Sequence, residues 1–437
     1  MINITNKQNC CGCSACATIC PKRCITMAAD NEGFLYPQVN KNIFIDCGLC
    51  EKVCNELHPF DKRKPLKTLA IINNNERIRL KSSSRGVFHI LAEKTINERG
   101  VVFGARFDKN WQVVIDYTED MEGIEAFMGS KYVQARIEDA YKNVKRFLHE
   151  GRQVLFSGTP CQIAGLHQYL HKPYENLLSV DFICHGTPSP KVWGMYLDEV
   201  IKEGQRINNI EFRNKLNGWK KFGFSINYNR DGESLSLLSP FDKDLYMNVF
   251  LKNVILRPSC YSCQARCGQS MSDITMADFW GINGIVPKMD DDKGTSLIFL
   301  NTEKGEAMLK LDKCRVSETS YEAVIPKNPA CIHSPGINPM RTYFFQHLGS
   351  TPLLKLMKRC SKPTREERYR KLKSNIKTLI NKALQTVHRG RGGGRIGHKL
   401  SYTHSSFTLQ KRSLITSINF RNKSCGWNKY QKGITLK

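Results

Sequence analysis

The chain has 437 residues, of which 41% are hydrophobic and 24% charged, with 18 cysteines and a net charge of +26. That length suits about three domains with at least one sizeable core. The sequence shows neither an apolar run long enough to span a membrane nor an apolar signal core at its N-terminus, so we expect a cytoplasmic protein. Composition thus excludes a membrane channel, a secreted disulfide scaffold and a disordered protein, and cysteines in a reducing compartment indicate metal ligation.

The first cysteine motif is Cys10-x2-Cys13-x2-Cys16-x3-Cys20-Pro21. This is the spacing of bacterial ferredoxins, in which three close thiolates bind one iron–sulfur cluster and the fourth binds another. Zinc is the competing metal, but a zinc site needs only two cysteine pairs and no proline at this position. The motif therefore predicts a [4Fe–4S] cluster.

The second motif is incomplete, because Phe44 stands where a full copy would have a cysteine. The cysteines that remain are Cys47, Cys50 and Cys54. By the cross-over rule, Cys54 completes the first cluster with Cys10, Cys13 and Cys16, and the second cluster retains only Cys20, Cys47 and Cys50. Three thiolates suit a [3Fe–4S] cluster, or a [4Fe–4S] cluster with a foreign ligand. Cys11 and Cys24 are spare thiols that could substitute, or small packing residues.

The next segment, His58 to Lys67, is predicted to be a linker, and alternating helices and strands follow it. The predicted helices run from a cap at Ser84 to about Arg99, over Cys161–Leu170 and over Leu245–Lys252. The predicted strands are Val101–Phe107, Gln112–Tyr117, Gln153–Phe156, Leu178–Ile183, Ile210–Arg213 and Phe224–Tyr228. The strands and helix between Gln153 and Ile183 have the length of a βαβ unit.

A third cysteine group, Cys260, Cys263 and Cys267, lies far downstream. Two further cysteines, Cys161 and Cys184, follow predicted strands, and strand ends can bring distant residues together. We predict a further cluster held by Cys161, Cys184, Cys260 and Cys263, with Cys267 as the rival ligand; ordinary buried cysteines are the alternative. The isolated cysteines, predicted to bind nothing, are Cys314, Cys331, Cys360 and Cys425.

From about residue 5 to residue 350, the chain resembles the beta subunit family of coenzyme F420 hydrogenases and dehydrogenases, with an N-terminal two-cluster ferredoxin module. The resemblance is carried by CGLCEKVC at Cys47, SSSRGVF at Ser82, GSKYVQ at Gly129, LFSGTPCQIAGL at Leu155, DFICHGTPSPKVW at Asp181, SDITMADFWGI at Ser272 and KGTSLIFLNTEKG at Lys293. It implies an α+β fold, in which a ferredoxin-like module with two [4Fe–4S] clusters precedes a mixed α/β flavin-binding domain. The implied domains are 1–58, 68–190 and 191–350, followed by a basic tail at 360–437.

The resemblance also implies a bound flavin, FAD. Two turns before helices can offer backbone N–H groups to its diphosphate: Ser82, Ser83 and Ser84 with Gly86, and Gly158 with Thr159. Lys131 could pair with a phosphate and His185 could hydrogen-bond the cofactor. From the residue patterns alone, helix caps, a solvated lysine and a structural histidine are the more common interpretation. Arg85 replaces a glycine usual in the family, so it either weakens flavin binding or contacts a phosphate itself.

The predicted function is an oxidoreductase that passes electrons between [4Fe–4S] clusters and a flavin, which exchanges hydride with coenzyme F420 or another small organic acceptor. The alternative is a ferredoxin-like adaptor subunit without substrate chemistry of its own. The expected partners are a redox protein or ferredoxin and a small-molecule hydride acceptor. No catalytic residue is assigned.

The charge is concentrated in the tail, where the segment from Lys355 to Lys437 has 22 basic residues and two acidic ones. We predict that the tail is helix-compatible from Arg365 to Ala383 and disordered over roughly its last 40 residues. Its basic residues follow no nucleic-acid recognition fold, so nucleic acid is not an expected partner. Binding to nucleic acid or to an anionic membrane is the alternative for this segment.

Overall fold

The N-terminal part of the protein is a small cysteine-bearing module. The structure, a computed structural model, describes residues 1–83, 86–363, 368–369, 372–376 and 378. The module contains α1 (Ala15–Ile19), an antiparallel hairpin of β1 (Ile25–Ala29) and β2 (Leu35–Val39), and α2 (Leu49–Lys52). Helices α1 and α2 pack against each other, so the two N-terminal cysteine motifs are neighbours in space.

The largest element is a mixed sheet of eight strands in the order β13-β3-β12-β11-β7-β6-β4-β5. Its strands are β3 (Lys67–Asn73), β4 (Val101–Phe107), β5 (Val113–Thr118), β6 (Val154–Ser157), β7 (Leu177–Phe182), β11 (Ile274–Asp278), β12 (Ser296–Leu300) and β13 (Cys314–Thr319). The four central strands β4, β6, β7 and β11 are parallel, and the outer strands pair antiparallel. Parallel strands are usually covered on both faces, and β6 and β7 are accordingly almost continuous runs of buried residues. The antiparallel strand β12 is buried along its whole length as well.

Helices lie between the strands along the chain and after the last strand. They are α3 (Glu76–Lys81), α4 (Val87–Asn97), α5 (Met121–Phe127), α6 (Ala140–His149), α7 (Pro160–Leu170), α8 (Pro190–Val200), α9 (Leu245–Leu251), α10 (Ile282–Ile285), α11 (Glu303–Met308), α12 (Tyr321–Val324), α13 (Met340–Gln346) and α14 (Leu353–Cys360). Helix α7 connects the parallel strands β6 and β7, which confirms the predicted βαβ unit. The carboxyl ends of β6 and β7 and the start of α7 therefore lie close together, at the carboxyl ends of the parallel strands.

A second sheet of three antiparallel strands follows the βαβ unit. It consists of β8 (Arg206–Asn214), β9 (Gly223–Arg230) and β10 (Glu233–Pro240). Phe212 and Phe224 on this sheet pack around Trp193 of α8 and Tyr246 of α9, all four of them buried. Most of β10 is exposed, because it forms the edge of the sheet.

Most of the predicted elements are present with bounds shifted by at most four residues, and the start of α4 differs from the prediction. This helix begins at Val87, after Gly86 in a left-handed conformation with φ 81°, rather than at a Ser84 cap. The positive φ at Gly86 breaks the helical path, so the helix cannot extend back through it. Ser84 and Arg85 themselves lie outside the described residues.

Residues 1–362 form one unit and residues 363–437 another. Within the segment predicted to be helix-compatible, the described residues 368–369, 372–376 and 378 are helical. The prediction of disorder over the last part of the tail lies outside the described residues. No helix in the described part of the chain combines the length and apolarity needed to cross a bilayer.

Candidate functional site

The first cysteine set surrounds a cavity of about 350 Å³ in the N-terminal module. Cys10, Cys13, Cys16 and Cys54 all line it, so the structure brings together the four thiols that the cross-over rule assigns to one cluster. Two left-handed residues, Gly12 at φ 72° and Ser14 at φ 63°, curl the backbone around the cavity. Four converging thiols are the donor set of a [4Fe–4S] cluster, so the residues fit that group.

Arg257 is a buried cation beside this first set. Its Nη2 lies 3.6 Å from Sγ of Cys10, and its Nε donates to the Cys10 carbonyl oxygen at 2.8 Å. Burial raises the pKa of the Cys10 thiol, and the guanidinium partly offsets that rise. A fixed positive charge at this point favours the thiolate over the thiol. The thiolate is the form that binds iron.

The second set, Cys20, Cys47 and Cys50, has three cysteines rather than four. Cys20 and the buried Cys50 belong to one apolar group with Cys24, against which Phe44 packs. Cys47 is exposed and lies two residues before the start of α2. Cys24 thus lies with the second set, whereas the other spare thiol, Cys11, lines the cavity of the first set.

The central site is a cavity of about 690 Å³ at the carboxyl ends of β6 and β7. Cys161 lies in the first turn of α7 and Cys184 follows β7, while Cys260 and Cys263 come from the segment after α9. All four line the cavity, so the structure brings together the residues that the sequence groups as a third cluster site.

The charges of these four cysteine thiols influence one another's pKa. Burial is the main cause that raises the pKa of Cys184, Cys260 and Cys263, and the neighbouring thiols raise it further. Contact with Cys11 is the main cause that raises the pKa of Cys161, followed by burial. The positive charge of Arg266 acts in the opposite direction on Cys184 and Cys263.

The same cavity is lined by Cys267, the predicted rival ligand. It is also lined by Cys331, which was predicted from the sequence to be isolated. Cys331 is thus not isolated in space, because the N–H of Cys267 donates to the Cys331 carbonyl oxygen at 3.1 Å, and that its thiol binds nothing stays a prediction. This contact joins segments 64 residues apart in the sequence, and no spacing motif signals it. Cys314 and Cys360 do not line the cavity, and Cys425 lies outside the described residues.

Cys11 connects the first cysteine set to the central one. Contact with the Cys13 thiol is the main cause that raises the pKa of Cys11, and contact with the Cys161 thiol lowers it. Cys13 also packs directly on α7, since a Cβ built at Gly165 would lie 2.9 Å from its Sγ. The first and central sites are therefore separated by little more than one side chain.

Two of the segments predicted to bind flavin lie near each other. The Ser83 hydroxyl accepts from the backbone N–H of Ser130 at 2.6 Å and lies 2.8 Å from its hydroxyl oxygen. Lys131 follows Ser130, and its Nζ donates to the carbonyl oxygens of Met128 and Gly129 at 3.0 and 3.3 Å. Lys215, which the sequence does not single out, donates to the Ser82 carbonyl oxygen. Burial lowers the pKa of Lys131 to about 7 and that of Lys215 to about 8.

The other predicted flavin contacts lie near the central cysteines. The N–H of Gly158 donates to the Val180 carbonyl oxygen at 3.1 Å, and that of Thr159 donates to the Gln162 side chain at 2.9 Å. His185 Nε2 lies 2.6 Å from the Asn253 side-chain oxygen, and burial lowers the pKa of this histidine. These three groups already form hydrogen bonds within the protein. Helix-capping residues and a structural histidine form hydrogen bonds of the same kind.

No three His, Cys, Asp or Glu side chains among the described residues are arranged to hold a single metal ion. This finding concerns single ions such as zinc. The thiolates of a four-iron cluster bind irons at different corners, so they stand further apart than the ligands of one ion.

The protein thus combines a mixed α/β fold with several sets of converging cysteines, which are the usual ligands of iron–sulfur clusters. Residues 151–322 match the family described as coenzyme F420 hydrogenase/dehydrogenase, C terminus of the beta subunit. This match confirms, over that segment, the resemblance predicted from the motifs, and the segment is less than half of the chain.

The chain was also compared with solved structures and with curated proteins. A chain of the F420-reducing [NiFe] hydrogenase complex from Methanosarcina barkeri is similar to this one, with 15% identity and a TM-score of 0.40. The similarity covers 71% of this chain and 92% of that chain. No curated protein matches.

Proposed function

We propose that this protein is an iron–sulfur flavoprotein oxidoreductase, which passes electrons between [4Fe–4S] clusters and FAD. Its substrate would be coenzyme F420 or another small organic molecule that accepts hydride. The observation that carries the proposal is the serial arrangement of three cysteine sets, from the surface of the N-terminal module to the edge of the large sheet.

The series begins at the second set, where Cys47 is exposed and Cys50 is buried. Cys16 and Cys54 of the first set pack against the same apolar group as Cys50. From the first set, Cys11 leads on to Cys161 of the central set. When bound, clusters carry single electrons and a flavin converts them into a two-electron hydride transfer. The order of the sites fits such a route.

The chain's own charges suit anionic clusters. Arg257 lies against Cys10 of the first set, and Arg63 and Arg266 line the central cavity. Both arginines of the central cavity are held in place by backbone carbonyls, Arg63 by that of Ser272 and Arg266 by that of Ala330. Positive charge near thiolate-bound clusters stabilises their reduced, more negative forms.

For the flavin, we infer a site between the Ser82–Ser83 turn, the Ser130–Lys131 loop and Lys215. Two lysines and serine hydroxyls are suitable partners for a diphosphate. The support is the hydrogen bonding that joins these three segments. Gly158, Thr159 and His185 remain predictions as flavin contacts, as do Ser84 and Gly86.

The domain division that accompanies this function has residues 1–58 as the ferredoxin-type module. Residues 68–190 and 191–350 would form the N-terminal-type and C-terminal-type domains of the beta subunit, and 360–437 the tail. A redox partner protein or ferredoxin would exchange electrons at the second set, because Cys47 is the exposed end of the series.

The alternative function, an electron-transfer adaptor, shares the clusters but lacks the flavin and its chemistry. An anaerobic assay separates the two, with a reduced viologen as donor and coenzyme F420 or free flavin as acceptor. We expect reduction of an acceptor, and a loss of more than about tenfold in Cys263→Ser, because one ligand of the central site is removed. Cys314→Ser is the control, since Cys314 lies outside the cavity.

A fully loaded parent protein that reduces no small acceptor, yet exchanges electrons with a ferredoxin, would favour the adaptor instead. An unchanged rate in Cys263→Ser would remove the central site from the proposed route.

A further inference from the structure

The second cysteine set lacks one thiolate for a four-iron cluster, because position 44 carries phenylalanine. Phe44 packs against the apolar group formed by Ile2, Cys24, Ile25 and Cys50. Cys20 packs against the same group. Cys24 and Cys50 therefore belong to the apolar group that the residue at the missing ligand position contacts, and Cys20 contacts the same group.

The backbone carries Cys24 to this position. The N–H of Arg23 donates to the Cys20 carbonyl oxygen at 3.1 Å, and Arg23 adopts a left-handed conformation with φ 50°. This tight turn places Sγ of Cys24 3.2 Å from Sγ of Cys20, so the two side chains must rotate apart to bind different irons of one cluster. Strand β1 begins directly afterwards, and the N–H of Asn40 donates to the Cys24 carbonyl oxygen at 2.8 Å. Cys24 is thus anchored by the hairpin and held beside Cys20 by the turn.

Both thiols of this pair are free, since their sulfurs are further apart than the roughly 2.05 Å of a disulfide. The Cys24 side chain is only 3% exposed, so it faces the interior of the module. The competing spare thiol, Cys11, contacts Cys13 and Cys161 at the opposite side of the first set. Position and burial both favour Cys24 over Cys11.

We propose that Cys24 is the fourth thiolate ligand of the second cluster, which it completes with Cys20, Cys47 and Cys50. The inference rests on the proposed function, because it requires that the module binds clusters. It makes the second site a [4Fe–4S] centre whose fourth ligand comes from the turn before β1 rather than from position 44.

The test compares Cys24→Ser with the parent protein, both purified anaerobically as the full chain. We expect iron to fall by about one per chain while acid-labile sulfide is unchanged, because [4Fe–4S] and [3Fe–4S] clusters contain equal sulfide. We also expect the EPR signal of an oxidised three-iron cluster, absent from the parent. Cys24→Ser/Phe44→Cys should recover the lost iron and abolish that signal, because it restores the usual ligand position.

Cys11→Ser and Cys314→Ser are the comparison variants. A three-iron signal in the parent, or in Cys11→Ser but not in Cys24→Ser, would overturn the inference. Unchanged iron and EPR spectra in Cys24→Ser, or a Cys20–Cys24 disulfide in the anaerobic parent, would also overturn it. A parent that binds no iron even after reconstitution would instead contradict the proposed function, so the two failures are distinguishable.

Discussion

Single buried cations set the charge around the cysteine sets. Arg257 is 1% exposed, and besides Cys10 it donates to the carbonyl oxygen of Leu35 and the side chain of Gln134. Its guanidinium also lies over the Tyr36 ring, 4.3 Å from the centroid. A charge this deeply buried is costly unless it is paired, so an anionic partner at the first set would compensate it.

The first prediction concerns the reduction potential of the first cluster. Arg257→Gln removes a positive charge beside Cys10 and should therefore lower the potential, since the reduced cluster is the more negative form. A shift of about 60 mV would be a tenfold change in the one-electron equilibrium. An EPR-monitored redox titration measures it, and Arg257→Lys should retain most of the parent potential. An unchanged potential in a fully loaded Arg257→Gln protein would contradict this role.

Lys131 gives a prediction on pH. Burial lowers its pKa from 10.5 to about 7, so between pH 7 and 10 the unfolded chain binds a proton that the folded protein does not. The free energy of unfolding therefore rises with pH in this window through this group. Lys131→Met should raise the unfolding temperature of flavin-depleted protein most near pH 7, and the gain should shrink towards pH 10. Lys109→Met, at an exposed turn, is the control. A gain independent of pH would contradict the low pKa.

At the scale of elements, α7 links two of the cysteine sets. Cys161 lies in its first turn, and Gly165, one turn later, is in contact with Cys13. Tyr141 of α6 holds the same helix by donating to the Gln162 carbonyl oxygen at 2.7 Å. Since α1 also packs against α7, this helix is the element on which the N-terminal module and the large sheet meet.

We predict that Gly165→Ala disturbs the first site. Its Cβ would lie 2.9 Å from Sγ of Cys13 and 3.1 Å from the Tyr141 hydroxyl, so the ligand or the helix must move. Overpacking of this kind costs about 1–3 kcal/mol of the free energy of unfolding. Iron content and thermal unfolding are the measurements, and we expect both to fall. Gly284→Ala in α10, which meets no atom within 4 Å, is the matched control. Equal iron and stability in the two variants would refute the contact.

At the scale of the whole molecule, structure formed by residues close in the sequence could be predicted better than structure formed by residues far apart in it. The βαβ unit from β6 to β7 follows from hydrophobic periodicity and turn residues that are close in sequence. The outer strands β3, β12 and β13 were not predicted, because their antiparallel pairing joins segments more than 200 residues apart. The sequence proposed Cys161 and Cys184 as partners from their positions after strands, but it treated Cys331 as isolated, because only the tertiary fold places it at the cavity.

The tail gives a prediction at the same scale. Residues 363–437 form one unit, and residues 1–362, which contain all the cysteine sets, form another. Removing Pro363–Lys437 should therefore leave iron, sulfide and flavin per chain and the rate of acceptor reduction unchanged within about twofold. The shortened protein should also elute earlier from a cation exchanger, because it loses most of the net charge. A loss of cofactor or of rate would make the tail part of the function.

The central claim is that one chain carries three cluster sites and a flavin, and its direct test is the cofactor content of the full chain. We would measure flavin, iron and acid-labile sulfide per chain after anaerobic purification and reconstitution. The account predicts about one flavin with about twelve irons and twelve sulfides. Eight irons or fewer, with no flavin even after incubation with FAD, would contradict it and leave the electron-transfer adaptor.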